Sequence, residues 1–176
     1  LAAKGLRYSQ ADVGSQLTVL DTPDSSIDEP DFDSILVDAS FGVFEYVALR
    51  GGFRRGRIDD GGSTVDLTEF RAGARGHYSL FDNLDAYVDA IYFNAKYNGD
   101  STNTDIGGIY EGGFRIKGGK IGELDAAYRY VSGDIDQNYI VIGGVLKLTK
   151  RLGLSLNAAF GDDDDEEYFA GVRIGF

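Results

Sequence analysis

Greasy and polar positions alternate one for one over long stretches of this chain. In residues 152–160, Leu152, Leu154, Leu156, Ala158 and Phe160 share one parity, and Gly153, Ser155, Asn157 and Ala159 share the other. Tyr168, Ala170, Val172, Ile174 and Phe176 alternate in the same way with Phe169, Gly171, Arg173 and Gly175. Successive side chains of an extended strand point to opposite faces, so a period of two predicts a strand. These runs last about nine residues, whereas strands of water-soluble sandwiches usually run about 5–6.

The pattern recurs upstream. Its greasy parity carries Val37 and Phe41, then Val47, Leu49 and Phe53, then Phe70, Ala74 and Tyr78. It continues through Leu84, Val88 and Tyr92, Tyr110, Phe114 and Ile116, Leu124 and Tyr128, and Ile140, Ile142 and Leu146. Residues 4–20 supply one more strand, with Leu6, Tyr8, Leu17 and Val19 facing outward; a break in alternation around Gln10 to Gly14 predicts a β-bulge there.

The links alternate in length. Residues 44–46, 79–83, 118–121 and 149–151 are tight, whereas 21–31, 57–64, 98–105, 132–137 and 161–166 are longer and mostly acidic. Short turns at one end and long loops at the other are the layout of a transmembrane up-and-down β-barrel, with both termini on the short-turn side. The fold class predicted is all-β, with residues 1–176 as one barrel domain. About ten antiparallel strands account for the chain, and eight is the alternative.

Composition does not oppose a membrane location. No stretch approaches the roughly 18 apolar residues of a spanning helix, and mean hydropathy is -0.20. A barrel strand escapes that test because only alternate residues meet lipid. The 25 Gly, 11 Tyr and 11 Phe against only 2 Pro suit such a wall. Absence of Cys excludes disulfides and thiolate metal sites, and a net charge of -12 argues against nucleic acid as a partner. Met is absent too. Leu1 is therefore read as a processed or trimmed start, any signal peptide having been removed.

The charges then set the orientation. The polar parity carries Arg50, Arg54, Arg71, Arg75, Arg115, Lys117, Arg129, Lys147 and Arg173 together with Asp38, Glu69, Asp85, Asp89, Glu111, Glu123 and Asp125. Facing lipid at mid-bilayer, each Arg or Lys would cost about 2–4 kcal/mol, so these side chains are assigned to the lumen. A soluble barrel would reverse the assignment, and parity alone leaves both open. Aromatic residues near the strand ends favour the membrane. Phe44, Tyr46, Tyr78, Phe81, Phe114 and Phe176 lie towards the turns, and Tyr92, Tyr97, Tyr110, Tyr130, Phe160 and Tyr168 towards the loops, as two interfacial girdles.

Residues 168–176, with Tyr168, Val172, Ile174 and Phe176 on one face, resemble the C-terminal assembly-signal strand of bacterial outer-membrane proteins. The hairpins of residues 76–88 and 144–156 resemble the strand–turn–strand units of small OmpA/OmpX-like barrels. The likeness covers residues 32–176 well and the first 31 loosely. It implies an outer-membrane location, outer-membrane lipid and lipopolysaccharide as surroundings, and the barrel-assembly machinery as a partner during biogenesis. It is nearly silent on activity, and family members commonly have eight strands.

No catalytic set stands out, so the chain is not expected to be an enzyme. His77, the single histidine, falls near the short turns beside Arg75 and Tyr78 and reads as an ordinary lumen or rim residue. Omptins, the ten-stranded outer-membrane proteases, use a histidine with acidic residues at the outer rim, where this chain has none. Ser132 and Ser155 lack a second histidine to activate them. No cofactor motif is present. The acidic loops are the candidate sites for Ca2+ or Mg2+, with Asp162, Asp163, Asp164, Asp165 and Glu166 as the ligand set and Asp21, Asp24, Asp28, Glu29 and Asp31 as a second group. Their spacing is not that of a dedicated calcium loop, and a solvated, repulsive loop is the plainer reading. In the lumen the arginines either line an anion path or pair with the acids to plug it. Three roles follow: a non-enzymatic structural or surface-interaction barrel with an occluded lumen, a narrow porin-like channel, or a subunit of a larger envelope complex with an unidentified protein partner.

Overall fold

The computed structural model describes residues 9–19, 31–60, 63–99, 102–119, 122–134, 136–162 and 165–175, without the side chains of residues 19, 31, 32, 58–60 and 63. Ten strands follow one another: β1 (Gln10–Val19), β2 (Asp31–Phe44), β3 (Val47–Asp60), β4 (Ser63–Phe81), β5 (Leu84–Asn98), β6 (Thr102–Lys117), β7 (Gly122–Ser132), β8 (Gln137–Lys147), β9 (Leu152–Gly161) and β10 (Glu166–Gly175). Each pairs antiparallel with its sequence neighbours, and β1 also pairs with β10, closing the sheet. Closure leaves no strand edge unpaired, which a bilayer demands of any sheet that crosses it.

The pairing also sets the bore. From Ser79 on β4, cross-strand partners run through Asp85, Arg115, Asp125, Gly143 and Asn157, then Phe169, Gln16, Ser34 and Gly56, and return to β4 at Leu67. The stagger is thus 79 − 67, or twelve residues. With a rise of about 3.3 Å per residue and about 4.8 Å between strands, this gives a tilt of about 40° and a backbone radius of about 10 Å. Long side chains from facing walls meet across such a bore.

The greasy parity faces outward. Leu156, Leu124 and Val88 are 63%, 65% and 64% exposed, while Arg75, Asp89 and Arg115 on the opposite parity are buried. Leu154, Val172 and Ile174 are exposed as well, so no shared apolar core forms from them. Exposed aromatics ring both ends, and several pair across strands: Tyr46 with Tyr78 at 5.8 Å, Tyr110 with Tyr130 at 6.3 Å and Phe53 with Phe70 at 5.1 Å between centroids. Tyr97 departs from the expected outer girdle. It lies on the inward parity of β5 and packs against a lumenal cluster of Leu67, Ile91, Phe93, Ala95 and Ile109. Phe176, Leu6 and Tyr8 lie outside the described residues.

Two expectations need correcting. The first strand has no bulge over Gln10 to Gly14, because its register runs unbroken against both β10 and β2. Ala11 and Val13 are the outward positions of that stretch and a polar Ser15 follows them on the same face, with no extra residue. Gly14 belongs to the inward set and is required by close approach: a Cβ on it would lie 2.3 Å from the Ala170 carbonyl oxygen. The register irregularities lie instead at the short turns, between Gly42 and Phe44 and between Ser79 and Phe81. Nor are residues 57–64 and 98–105 long loops. Asp60 pairs with Ser63 and Asn98 with Thr102, so these hairpins continue almost to their tips. Hairpins keep pairing wherever both arms stay extended, in water as in lipid, and only the greasy parity stops at the membrane boundary. The result is an uneven rim: β2 to β6 run 14 to 19 residues, against 10 or 11 in the other strands.

Candidate functional site

The lumen gathers most of the described charged side chains of the wall, and the register explains how they meet. Arg75 on β4, Asp89 on β5, Glu111 on β6 and Arg129 on β7 are successive cross-strand neighbours. Asp89 accepts two hydrogen bonds from Arg75, from Nε at 2.7 Å and Nη2 at 2.5 Å. Arg50 adds a third from Nη1 at 2.5 Å, reaching across β4 at the level where that strand supplies Gly73. Glu111 accepts from Arg129 Nε at 2.9 Å and from the Tyr87 hydroxyl at 3.1 Å, and Arg75 Nη2 lies 3.9 Å from it. Arg129 also donates to Glu167 on β10, at 3.0 Å. Two neighbouring carboxylates are thus flanked by three guanidinium groups, which offsets their repulsion and desolvation.

Further pairs continue this belt towards both mouths. Arg115 sits between Asp85 and Asp125 in register, and the guanidinium groups of Arg75 and Arg115 lie 4.1 and 5.6 Å from the Tyr87 ring. Near the short turns, Lys147 pairs with Glu123 at 2.8 Å, and Arg173 with Asp12 at 2.8 Å and Glu123 at 3.6 Å. Towards the outer end, Arg71 pairs with Glu69 on its own strand, and Arg54 donates to Ser34 and Thr18, each at 2.9 Å. Of the free volume, about 130 Å3 lies within the belt, about 590 Å3 in an outer vestibule beside Phe93, Tyr97 and Tyr139, and about 330 Å3 in an inner one beside Lys147 and Arg173.

Every lumenal charge picked out in the sequence lies on the inward parity. The structure adds partners that pattern reading missed: Asp12, Glu167, Tyr87, and the hydroxyls of Thr18 and Ser34. Asp12 belongs to the strand whose alternation is weakest, and Glu167 stands directly after the acidic loop of residues 161–166. Their parity, two or four residues from other inward positions, was the signal available. The apolar lumenal patch of Leu67, Phe93 and Ile109 and its neighbour around Tyr139 and Val141 were also unforeseen.

The remaining candidates are scattered. His77 is inward and half-buried near the turn side, opposite Tyr87, while Ser132 ends β7 at the outer side and donates to the Gly108 carbonyl. Ser155 is wholly buried between Val145 and Gly171 in register. Asp162 accepts from the backbone N–H of Asn138 at 3.3 Å and from its Nδ2 at 2.7 Å, which hold the exposed Asp162 carboxyl below the usual carboxylate range. Asp165 accepts from Gln137 at 2.6 Å, and Glu166 from the Tyr168 hydroxyl at 2.7 Å. Among the described residues no three His, Asp or Glu side chains converge as metal ligands. Asp163 and Asp164, like the group from Asp21 to Glu29, lie outside the described residues.

No family model and no curated protein matches the sequence. Among solved structures, the chain is similar to the translocator domain of autotransporter NalP from Neisseria meningitidis, at TM-score 0.58 and 8% identity over 98% of this chain and 89% of that one. It is similar to Neisserial surface protein A at TM-score 0.51 and 20% identity, covering 95% of each chain. It is also similar to the KdgM porin in complex with disordered oligogalacturonate, at TM-score 0.50 and 11% identity over 95% of this chain and 99% of that one. The fold is that of a bacterial outer-membrane β-barrel. These neighbours include porins and translocator domains as well as a surface protein, so the barrel architecture carries no single role.

Proposed function

We propose that this barrel is a non-enzymatic wall of the bacterial outer membrane, closed to solutes by its own ion pairs and presenting acidic and polar hairpin tips outside. The observation that carries the reading is Asp89, clamped by Arg75 and Arg50 from two other strands and flanked by the Glu111–Arg129 pair. Buried ion pairs with good geometry are costly to break singly, so the belt holds its place. The engaged carboxylates of Asp162, Asp165 and Glu166 support a solvated rim over a dedicated Ca2+ or Mg2+ site.

The test is conductance of the purified, refolded protein in a planar bilayer. A closed wall gives a baseline without stable openings. Stable, reproducible openings overturn the closed-lumen reading in favour of a narrow channel, which the two vestibules on either side of the belt would feed.

A further inference from the structure

The outward face carries almost no positive charge among the described strand residues. Among the described strand residues, Arg50, Arg54, Arg71, Arg75, Arg115, Lys117, Arg129, Lys147 and Arg173 all sit on the inward parity. The described strand cations that face outward are Arg55 and Arg57 on β3 and Lys96 on β5, and all three are exposed. They lie together. Thr68 on β4 is the direct cross-strand partner of both Arg55 and Lys96. With about 4.8 Å between strands, the two cations stand about 10 Å apart, a gap their long side chains close from both sides.

Their surroundings sort them further. Arg57 is already matched, by Asp66 at 3.2 Å and by Asp33 across the ladder. Arg55 has Ile35 and Thr68 as its cross-strand neighbours, and Lys96 has Thr68 and Thr104, so no carboxylate stands beside either in register. On β3 and β4 the same-face residues one step nearer the membrane centre are Phe53 and Phe70, whose rings pack at 5.1 Å. One step along a strand face is about 7 Å. Aromatic girdles mark the headgroup level, so Arg55 and Lys96 stand at the phosphates of the outer leaflet. Beneath them, Ile35, Phe70 and Tyr92 are 64%, 60% and 53% exposed and form an apolar bed.

We propose that Arg55 and Lys96, with Thr68 between them, clasp a phosphate of lipopolysaccharide, whose acyl chains lie against Ile35, Phe70 and Tyr92. Two cations and a hydroxyl suit a phosphate dianion, and the apolar bed directly below suits a lipid anchor over a free anion. The clasp also ties the tall β3–β5 wall to the leaflet whose phosphates it meets. The inference rests on the outer-membrane reading and its outward orientation.

The test measures retention of lipid by the refolded full chain in native mass spectrometry, with diphosphorylated lipid A, dephosphorylated lipid A and phosphatidylglycerol as probes. Wild type is expected to retain diphosphorylated lipid A over the other two. Retention should fall about ten-fold or more in R55S/K96S and in T68E, which sets a carboxylate between the cations. R55K and K150S, the latter on the turn side, should retain it. Equal retention by wild type and both disrupting variants overturns the clasp, and equal retention of phosphatidylglycerol by wild type overturns the choice of lipopolysaccharide. Each protein is also run on a gel with and without boiling. A mobility change on heating shows the barrel is present, so a lipid result then bears on the patch alone, whereas wild type without that change fails the outer-membrane reading itself.

Discussion

Replacing Asp89 with alanine removes the acceptor on which two arginines converge. The Asp89 side chain has no exposed surface, Arg75 retains 4% and Arg50 retains 20%. Removing one partner of a fully buried pair costs about 3–5 kcal/mol, because the other charge is left desolvated. Two features reduce that figure here. Glu111 lies 3.9 Å from Arg75 and takes up part of its charge, and the space of about 130 Å3 in the belt admits water to the exposed flank of Arg50. The expected loss is therefore about 2–4 kcal/mol. Asparagine keeps the shape and one acceptor oxygen but no charge, and should lose about 1–3 kcal/mol. With no Trp in the chain, unfolding in urea is best followed by far-UV circular dichroism and by the fraction of unboiled protein with folded gel mobility. The alanine variant also leaves an excess of guanidinium charge in a wider passage, so any conductance it gains should favour anions. A midpoint shift equivalent to less than about 0.5 kcal/mol would refute the reasoning, since that is the scale of an ordinary surface substitution.

Two further outcomes follow from the same geometry. Leu156→Arg places a charge on the lipid face midway along β9, and should destabilise the barrel in bilayers by about 2–4 kcal/mol; Asn157→Arg, next along the strand but facing the lumen, should cost measurably less in the same urea titration. Asp162 should titrate below the usual carboxylate range by carbon NMR, and Asn138→Ala, which removes the Nδ2 donor but keeps the backbone N–H, should raise it part of the way back. Its folded-state value is depressed, so the hairpin-tip contact stabilises above the unfolded value and is lost as pH falls through the folded one. A midpoint unmoved by the Asn138 substitution would sink that assignment.

Much of this protein was readable from the order of its residues. The alternation in residues 152–160 and 168–175 follows from the two-fold pleat of a single strand, which needs no knowledge of any other segment. The same parity sent Arg75, Asp89 and Arg129 to one face and Leu156 and Val172 to the other. The tight links at 44–46 and 149–151 were equally local. Where pattern reading failed, the information was elsewhere in the chain. Greasy residues end where the membrane ends, so the polar extensions of β3 to β6 looked like loops, although Arg57 pairs with Asp66 and Asn98 with Thr102.

What the sequence by itself determined was therefore the two faces: which side chains share one side of the wall and which the other. Only the closed tertiary structure decided the partners. Arg173 meets Asp12 across the seam where the last strand joins the first, 161 residues away, and Arg50 reaches Asp89 over an intervening strand. The seam contact depends on how the closing strands register after a stagger of twelve residues around the wall, and the second on the registers of two successive strand pairs. Periodicity is a property of one segment at a time, whereas ring closure and its register are properties of all ten strands together.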